Sequence, residues 1–405
     1  MLRLGIKRAK EKKESINFNI SEVIVIMIVT AILAITLTIK VTYTINNTPN
    51  KIKMKTELSE FMNIYNSISS DYYEEINKDE MISSAIEAMV EYLDDPYSSY
   101  LNAEEAEKMA QELNGEYEGI GAKIKLSNKV FTISEVFENS PSEKSGLKVG
   151  DIIVKIGEDT VDGKNLDDIS KLIKEKKTKD FIITVNRKSK NIDITISRDK
   201  VDLKSVGYKT ITKNNKQIGV ITISVFAKNT HEQFKRIIDK IDFNKVSSLV
   251  VDLRNNKGGY LSTATSICEM FLDKGDIIYQ ASTKKGIEKI TNQKEKRIKT
   301  NVILLVNGGT ASASEILTAT FKENLNSQIV GTTTFGKGKV QQTKKLSSGA
   351  IVKFTIENWL TPSGEKIDQK GIEPTIEVKL DDKYYKKPNE KNDNQLQKAL
   401  EIAVK

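Results

Sequence analysis

The chain has 405 residues, of which 38% are hydrophobic and 29% charged, so two or three folded domains are expected and a disordered polymer is excluded. The net charge of +8 is spread along the chain as lysine without aromatic interleaving, which argues against nucleic-acid binding and suits a surface that faces an anionic membrane. With one cysteine and one histidine, an intrachain disulfide and a multi-histidine metal site are excluded, and no cofactor is predicted.

An uncharged apolar run near the N-terminus, Val23 to Ile39, predicts a transmembrane helix. The run is slightly short for a bilayer core of about 30 Å, but Lys40 can snorkel and the residues up to Ile45 add apolar length. Because basic residues cluster from Lys7 to Lys13, the N-terminus is expected in the cytoplasm and the chain from about Asn46 outside. A cleaved signal peptide is the alternative, although no small-x-small site follows the run. A buried core helix is disfavoured because the run has no polar face.

From Thr56 to about Leu113, apolar residues recur at three- and four-residue spacing, which predicts helices. The Asp-Asp-Pro-Tyr sequence at 94–97 interrupts them, since proline cannot continue a helix. These helices are expected to pack on the body of the protein or on a second copy of it.

The region from Glu116 to about Ser197 contains short β-type runs punctuated by glycine, with one helical pattern between them. Its Tyr-Glu-Gly-Ile-Gly-Ala sequence at 117–122 resembles the carboxylate-binding loop of PDZ domains, and residues 140–153 resemble the approach to their central strand. Backbone N–H groups around Gly119, Ile120 and Gly121 can converge on a peptide carboxylate while the peptide adds as a strand. Taken alone, the two glycines fit a plain tight turn equally well.

From about Val206 to Leu380, dense apolar runs predict buried strands that alternate with helices. The strands are expected at 218–223, 248–253 and 302–306, and the helices at 232–241 and 261–271. A polar linker at 386–393 precedes a predicted C-terminal helix within 392–405.

Ser312 follows a buried strand and a glycine turn, and it precedes an amphipathic helix. A serine in that position lies at the positive end of the helix dipole, where developing negative charge is stabilised. The same sequence, Ser-Ala-Ser-Glu, fits a capping box with Ser312 at the N-cap and Glu315 at N3. Local sequence therefore allows a nucleophile, a helix cap or both.

Lys337 stands between Gly336 and Gly338, which is unusual for a solvent-facing strand residue. Glycines allow close backbone approach, and burial would lower the lysine pKa from about 10.4 and make the neutral amine available as a base. Gln341 can orient that amine through its amide oxygen. The stretch from Gly331 also matches the first seven positions of a phosphate-binding loop, but it lacks the following Ser or Thr and strand-like residues come next.

A glycine pair, Gly258 and Gly259, follows another buried strand. The N–H group of Gly258 or Gly259, with that of Ala313, is a candidate oxyanion hole, and a plain strand-to-helix turn is the alternative. His231 stands at a helix start and is predicted to be a surface or first-turn residue rather than a base.

Together these motifs resemble the carboxyl-terminal processing (tail-specific) proteases from about Phe61 to Leu380. The resemblance rests on residues 95–98, 117–122, 226–230, 253–259, 312–315, 335–338, 361–364 and 371–374. It implies that Ser312 is the nucleophile, Lys337 the base and Gln341 the third catalytic residue. It also implies that the PDZ domain gates activity, with Arg187 as a candidate contact of the bound tail. The chain departs from the family pattern at Lys257, where proline is usual, and at Thr310, where serine is common.

The expected fold is α+β and multidomain: a transmembrane helix, a helical segment, a PDZ domain inserted before an α/β Ser-Lys protease core of the ClpP/crotonase-like type, and a C-terminal helix. The expected segments are a basic cytoplasmic tail (1–20), an anchor (21–45), a helical region (50–115), the PDZ domain (116–200), the protease core (201–385) and a linker with the last helix (386–405).

The expected activity is that of a single-pass membrane endopeptidase whose catalytic domain is extracytoplasmic. Its expected partners are the membrane and protein or peptide substrates with accessible C-termini, without nucleic acid, and the terminal helices are compatible with a homodimer. The alternative is an inactive PDZ scaffold that only binds tails, although both Ser312 and Lys337 are present.

Overall fold

The computed structural model describes residues 27, 34–36, 38, 49–176, 178–295 and 298–405. Within this described part of the chain, no helix is both long and apolar enough to cross a bilayer. The anchor predicted at Val23–Ile39 lies almost entirely outside the described residues, and it stays a prediction.

The chain divides into two compact units, residues 1–84 and residues 85–405. The first unit contains helix α1 (Pro49–Asp71) and the beginning of helix α2 (Lys78–Glu91), as the apolar spacing predicts. The break between these helices is not predicted by that spacing. The side-chain oxygen of Asn77 accepts hydrogen bonds from the N–H groups of Asp79 and Glu80, at 3.1 and 3.2 Å, and so caps the first turn of α2.

The second unit begins with the end of α2, a proline-containing turn, strand β1 (Ser99–Leu101) and helix α3 (Ala103–Asn114). A capping box starts α3: Asn102 and Glu105 each accept the other's backbone N–H at 3.0 Å. Gly115 ends the helix with a φ of 69°, a left-handed conformation that glycine adopts without strain.

Residues 116–202 form a β-rich module with a hydrophobic core of its own. Its elements are β2 (Glu116–Gly119), β3 (Ala122–Ser127), β4 (Val130–Val136), α4 (Pro141–Lys144), β5 (Ile152–Ile156), β6 (Asp159–Thr160), α5 (Leu166–Lys174), β7 (Asp180–Arg187), β8 (Lys190–Ser197) and β9 (Asp199–Asp202). One antiparallel sheet has the order β3-β4-β5-β7-β8, with β6 on β5, while β2 and β9 form a separate ribbon. Alternate strand residues point inward and are buried, among them Ile133, Ile183 and Ile196.

A larger sheet occupies the rest of the second unit, in the order β10-β11-β12-β15-β16-β19. These strands are β10 (Val206–Lys213), β11 (Lys216–Ile223), β12 (Val246–Asp252), β15 (Asn301–Val306), β16 (Gln328–Gly331) and β19 (Ile376–Glu377). The pair β10–β11 is antiparallel and the others are parallel. The helices between them are α6 (Thr230–Ile238), α7 (Leu261–Glu269) and α8 (Ala313–Asn324), which matches the predicted α/β pattern.

Both faces of this sheet are buried. Leu249, Val251 and Leu304 face a core that also contains residues of α6, α7 and α8. The residues between them, such as Val250 and Ile303, face the C-terminal helix α10 (Asn394–Ala403), which follows a short helix α9 (Asp382–Lys386). Burial on both faces explains why these strands are continuous apolar runs in the sequence.

A second sheet lies beside the first and brings distant segments together. It contains β13 (Ile277–Thr283), β14 (Gly286–Thr291), β17 (Lys339–Lys345) and β18 (Ile351–Leu360) in addition to β1. The strand order is β1-β18-β13-β14, and β17 also pairs with β18. The turn that precedes β1 is thereby placed next to the β17–β18 hairpin.

Candidate active site

Two loops meet at the carboxyl ends of the parallel strands β12 and β15. Asn307, just after β15, accepts the N–H of Asn255 at 2.9 Å and donates to the Asn255 side-chain oxygen at 3.0 Å. The buried Thr310 hydroxyl donates to the Leu253 carbonyl at 2.9 Å, and this hydrogen bond links the two loops. Side chains of both loops thus fix the glycine turn against the start of α8.

Ser312 lies at the N-cap of α8 with a φ of 58° and a ψ of −120°. A non-glycine residue in this region of backbone conformation is strained, and such strain concentrates at functional sites. Ser312 lines a cleft of about 660 Å³ together with Gly259, Ala313, Lys337 and Gln341. The structure therefore brings the predicted nucleophile, base and third residue to one cavity.

Glu315, at N3 of α8, connects the nucleophile to the lysine loop. Its carboxylate accepts the N–H groups of Ser312 (2.8 Å), Gly336 (2.7 Å) and Lys337 (2.9 Å), and the hydroxyl of Thr334 (2.6 Å). The side chain is fully buried. Burial raises the pKa of Glu315, and the four donors oppose that rise. The sequence predicts only the capping contact with Ser312.

Lys337 is largely buried, as its flanking glycines predict. Burial lowers its pKa to about 8, and the nearby charge of Lys353 acts in the same direction, whereas Asp95 and Glu315 oppose the change. The Nζ atom donates to Gln341 Oε1 at 2.6 Å. No hydrogen bond joins Nζ to Ser312 Oγ in the described part of the chain, although both residues line the cleft.

Close backbone contacts explain the two glycines beside Lys337. A Cβ atom on Gly336 would lie 2.8 Å from the backbone nitrogen of Gly371, and one on Gly338 would lie 2.8 Å from that of Asp368. Strand β17 begins immediately after Gly338, where a phosphate-binding loop requires a helix. The phosphate-loop alternative is therefore wrong.

Gln341 and Lys337 both contact Tyr97, in the turn before β1. The Nε2 atom of Gln341 donates to the Tyr97 carbonyl oxygen. The Nζ atom of Lys337 lies over the Tyr97 ring, 5.1 Å from its centroid. The sequence pattern of this segment indicates only a helix break and a family motif, and it carries no signal for the contact with Lys337 and Gln341.

One hydrogen bond reduces the number of N–H groups that can serve in the predicted oxyanion hole. The N–H of Gly258, one of the two alternative glycine donors, donates to the Oδ1 atom of the buried Asn256 at 2.9 Å and is already engaged. Among the described residues, none accepts the N–H of Gly259 or Ala313. Gly259 and Ala313 are therefore the two predicted donors that remain free for a substrate oxygen.

The strand end before this turn is tied to the last helix by an ion-pair network that the sequence does not reveal. Arg254 donates to Asp252 at 2.9 and 2.7 Å and to Asp393 at 2.9 and 2.8 Å. Burial lowers the pKa of Arg254, but the two carboxylates outweigh it and the net change is upward. Asp393 is the N-cap of α10, so this pair holds the C-terminal helix to the loop that carries Gly259.

A second groove, of about 520 Å³, lies in the β-rich module of residues 116–202, between β3 and α5. Gly119 and Ile120 line it, with Ile124, Leu166 and Ile173 as apolar neighbours. Two of the three predicted loop residues thus line the groove, whereas Gly121 is not among its described lining residues.

Arg187 is not among the described residues that line this groove. Its guanidinium donates to both carboxylate oxygens of Asp151 (2.6 and 2.7 Å) and to the Gly146 carbonyl (2.8 Å). A role for Arg187 in sensing the bound tail stays a prediction. His231 lies in the first turn of α6, as predicted, with Nδ1 3.3 Å from the Oε1 atom of Glu232, and it does not line the cleft that contains Ser312.

Comparison with known proteins identifies three families along the chain. Residues 217–378 match the model of peptidase family S41, residues 119–197 match a PDZ domain, and residues 34–105 match the N-terminal domain of the activating protease CtpB. The carboxy-terminal processing protease CtpA of Bacillus subtilis is 37% identical over 326 residues, covering 80% of this chain and 69% of that protein. The "Probable CtpA-like serine protease" of Staphylococcus epidermidis is 37% identical over 329 residues, covering 80% of this chain and 66% of that protein.

The chain thus spans about two thirds of the length of these relatives. Among solved structures, one from Bacteroides fragilis assigned to the S41 proteases superposes with a TM-score of 0.50 at 19% identity, covering 82% of this chain and 91% of that one. That similarity supports the fold alone.

Proposed function

Because the chain belongs to peptidase family S41, as a CtpA-like serine protease with a PDZ domain, we propose that Ser312 is its nucleophile and Lys337 its general base. The observation that carries the proposal is the buried Lys337 amine, with a pKa lowered to about 8, in the same cleft as a strained serine at a helix N-terminus. Gln341, hydrogen-bonded to that amine, completes the catalytic set.

In this mechanism, neutral Lys337 removes the proton of the Ser312 hydroxyl while Oγ attacks the carbonyl carbon of the peptide bond. The N–H groups of Gly259 and Ala313 stabilise the oxyanion of the tetrahedral intermediate. The lysine ammonium then protonates the leaving amine as the C–N bond breaks and an acyl-enzyme forms. Water, deprotonated by Lys337, hydrolyses the ester and restores Ser312. The flexible lysine stem must first bring Nζ within reach of Oγ, a contact that often tightens only when substrate binds.

We further propose that the PDZ groove selects substrates by their C-terminal tails. Backbone N–H groups of the loop at Gly119–Gly121 suit a terminal carboxylate, and Ile124, Leu166 and Ile173 suit an apolar last side chain. Helix α3 supports delivery to the active site, because Gln111 lines the PDZ groove while Met109 and Leu113 line the catalytic cleft.

The groove proposal is tested with two peptides that differ only at the C-terminus. Full-length Ser312→Ala protein is expected to bind an apolar-ended peptide with a free carboxylate at least about tenfold more tightly than the same peptide as an amide. Equal affinities would contradict the proposed carboxylate loop.

The membrane anchor, the extracytoplasmic location and the ClpP/crotonase-like character of the core belong to the same proposal. The apolar run and the basic residues before it support the anchor, and the parallel sheet flanked by helices supports the core type. Exposed apolar side chains on α1, Leu58, Phe61 and Ile64, favour a homodimer through the first unit. Solution mass in detergent distinguishes a dimer from a monomer.

Loss-of-function variants test the catalytic assignment. Full-length protein in detergent should degrade fluorescein-labelled casein, and both Ser312→Ala and Lys337→Met should abolish that activity while the thermal midpoint changes little. Unchanged cleavage by Ser312→Ala would overturn the assignment. Absence of cleavage by the wild-type protein, together with tail binding, would favour the scaffold alternative.

A further inference from the structure

Four residues outside the proposed catalytic set form a turn whose Tyr97 contacts both Lys337 and Gln341. The turn runs from Asp95 to Ser98 and lies more than two hundred residues earlier in the sequence. Strand β1, which follows it, pairs with β18, and β18 pairs with the strand that carries Gln341. Sheet pairing therefore places this turn next to Lys337 and Gln341.

The Tyr97 carbonyl determines which way the Gln341 amide faces. A carbonyl oxygen only accepts hydrogen bonds, so the contact with Tyr97 fixes the amide nitrogen on that side. The amide oxygen then has to face Lys337, whose Nζ donates to it at 2.6 Å. Without the Tyr97 carbonyl, the two ends of the amide would be free to exchange, and its N–H groups would then oppose those of the lysine.

The Tyr97 ring occupies a second direction around the same nitrogen. Its centroid lies 5.1 Å from Lys337 Nζ, within the range of cation–π contacts. A neutral amine has two N–H groups and one lone pair in addition to its carbon. One N–H is bonded to Gln341, and the negative π face disfavours the lone pair on the side of the ring, so the lone pair is left to face the cleft.

Asp95 holds the turn in place. Its carboxylate accepts the Tyr97 N–H at 3.2 Å, the Ser98 hydroxyl at 2.6 Å and the Thr355 hydroxyl at 2.6 Å. Thr355 lies directly opposite Gln341 in the β17–β18 pairing. The turn is thus hydrogen-bonded to Thr355, the residue that pairs with Gln341 across the two strands.

We propose that Tyr97 is a positioning residue for catalysis: its carbonyl orients Gln341 and its π face keeps the lone pair of the neutral Lys337 amine away from the side it covers, so that the lone pair is directed into the cleft that holds Ser312. This inference rests on the proposed Ser312–Lys337 function. The ring also stabilises the ammonium that forms when Lys337 accepts the serine proton, which favours the transition state.

The electrostatic consequence has a definite sign. The charged groups that act on the Lys337 amine are Lys353 on β18, Asp95 in the turn and Glu315 on α8. A π face favours the ammonium, so replacing Tyr97 by an apolar aliphatic residue lowers the pKa of Lys337 further. The acid limb of the pH–activity profile is the range in which activity falls because Lys337 becomes protonated. This limb then moves to lower pH, even though the plateau rate falls.

The test compares Tyr97→Leu with Tyr97→Phe in the full-length protein. Both variants keep the backbone carbonyl of residue 97, and only Tyr97→Phe keeps the aromatic ring. On labelled casein, Tyr97→Leu is expected to lose about 2- to 30-fold in plateau rate and to shift the acid limb downward. Tyr97→Phe should recover most of that loss and keep the wild-type limb. Tyr100→Leu, a control at a tyrosine in β1 outside the cleft, should match the wild-type rate and limb.

Equal losses in Tyr97→Leu and Tyr97→Phe, or a limb that stays in place or moves upward in Tyr97→Leu, would overturn the inference. Lys337→Met separates this failure from that of the proposed function. If Lys337→Met is inactive while Tyr97→Leu behaves as wild type, the inference alone fails; if Lys337→Met remains active, the proposed catalytic assignment fails.

Discussion

Glu315 offers the sharpest perturbation of the site, because one buried carboxylate fixes both the nucleophile and the base loop. In Glu315→Gln, an NH2 group replaces one oxygen. On the Oε2 side that group would face two backbone donors, Ser312 and Lys337. On the Oε1 side it would face the Thr334 hydroxyl, which can turn to accept, and the N–H of Gly336. The second orientation leaves one buried donor without an acceptor.

One such unpartnered buried donor costs about 1–3 kcal/mol of folding free energy. That cost leaves most of the protein folded, so unfolding alone would reduce activity little. The activity loss should be larger, because a displacement of about 1 Å at Lys337 lowers the rate roughly 100-fold. Glu315→Gln is therefore expected to lower kcat on labelled casein by about 10- to 100-fold with little change in KM, and to lower the thermal midpoint by a few degrees.

Glu323→Gln is the matched control for this experiment. Glu323 lies on the same helix, and it accepts the N–H of Ser363 at 2.7 Å and its hydroxyl at 3.2 Å, outside the catalytic cleft. That variant should lose some stability and keep its kcat. Wild-type kcat in Glu315→Gln, or equal kcat losses in both variants, would show that Glu315 does not position Ser312 and Lys337 for catalysis.

Two further predictions concern the oxyanion loop and its anchor. Gly259→Ala should lower kcat at least about 100-fold, because its Cβ would lie 2.3 Å from the Phe226 carbonyl oxygen and displace an oxyanion donor. The control Gly286→Ala, at a glycine with a similar φ and no atom near its Cβ position, should keep its kcat. Comparable rates in the two variants would contradict this prediction. Asp393→Ala should cost about 1.5–3 kcal/mol of stability, measured as a lower thermal midpoint, because Arg254 loses one of its two carboxylate partners and keeps Asp252. An unchanged midpoint would contradict a role for this pair in holding α10.

Much of the α/β core follows from the sequence because its strands are buried on both faces. Val250 and Val251 face opposite cores, so the whole run is apolar and stands out without any partner being known. The break between α1 and α2 depends instead on one capping side chain, Asn77, which apolar periodicity does not register.

Local motifs located the candidate catalytic residues but not the contacts that tune them. The glycines beside Lys337 indicate burial directly, since a side chain there would collide with the backbone of Asp368 or Gly371. The roles of Glu315 toward Gly336 and of Tyr97 toward Gln341 arise from tertiary pairing between distant segments. The choice between Gly258 and Gly259 likewise depends on where the Asn256 side chain turns, which no spacing encodes.

Covalent labelling of Ser312 shows whether this serine is activated by a lysine that must be neutral. The rate at which a fluorophosphonate probe labels the full-length protein is measured between pH 6 and 9, with Ser312→Ala and Lys337→Met as comparisons. With a pKa of about 8, the neutral fraction of Lys337 rises from about 1% at pH 6 to about 10% at pH 7 and half at pH 8. Labelling should follow that rise, vanish in Ser312→Ala and become slow and nearly independent of pH in Lys337→Met. A wild-type rate that is constant across this range, or a Lys337→Met protein labelled as fast as the wild type, would contradict the account.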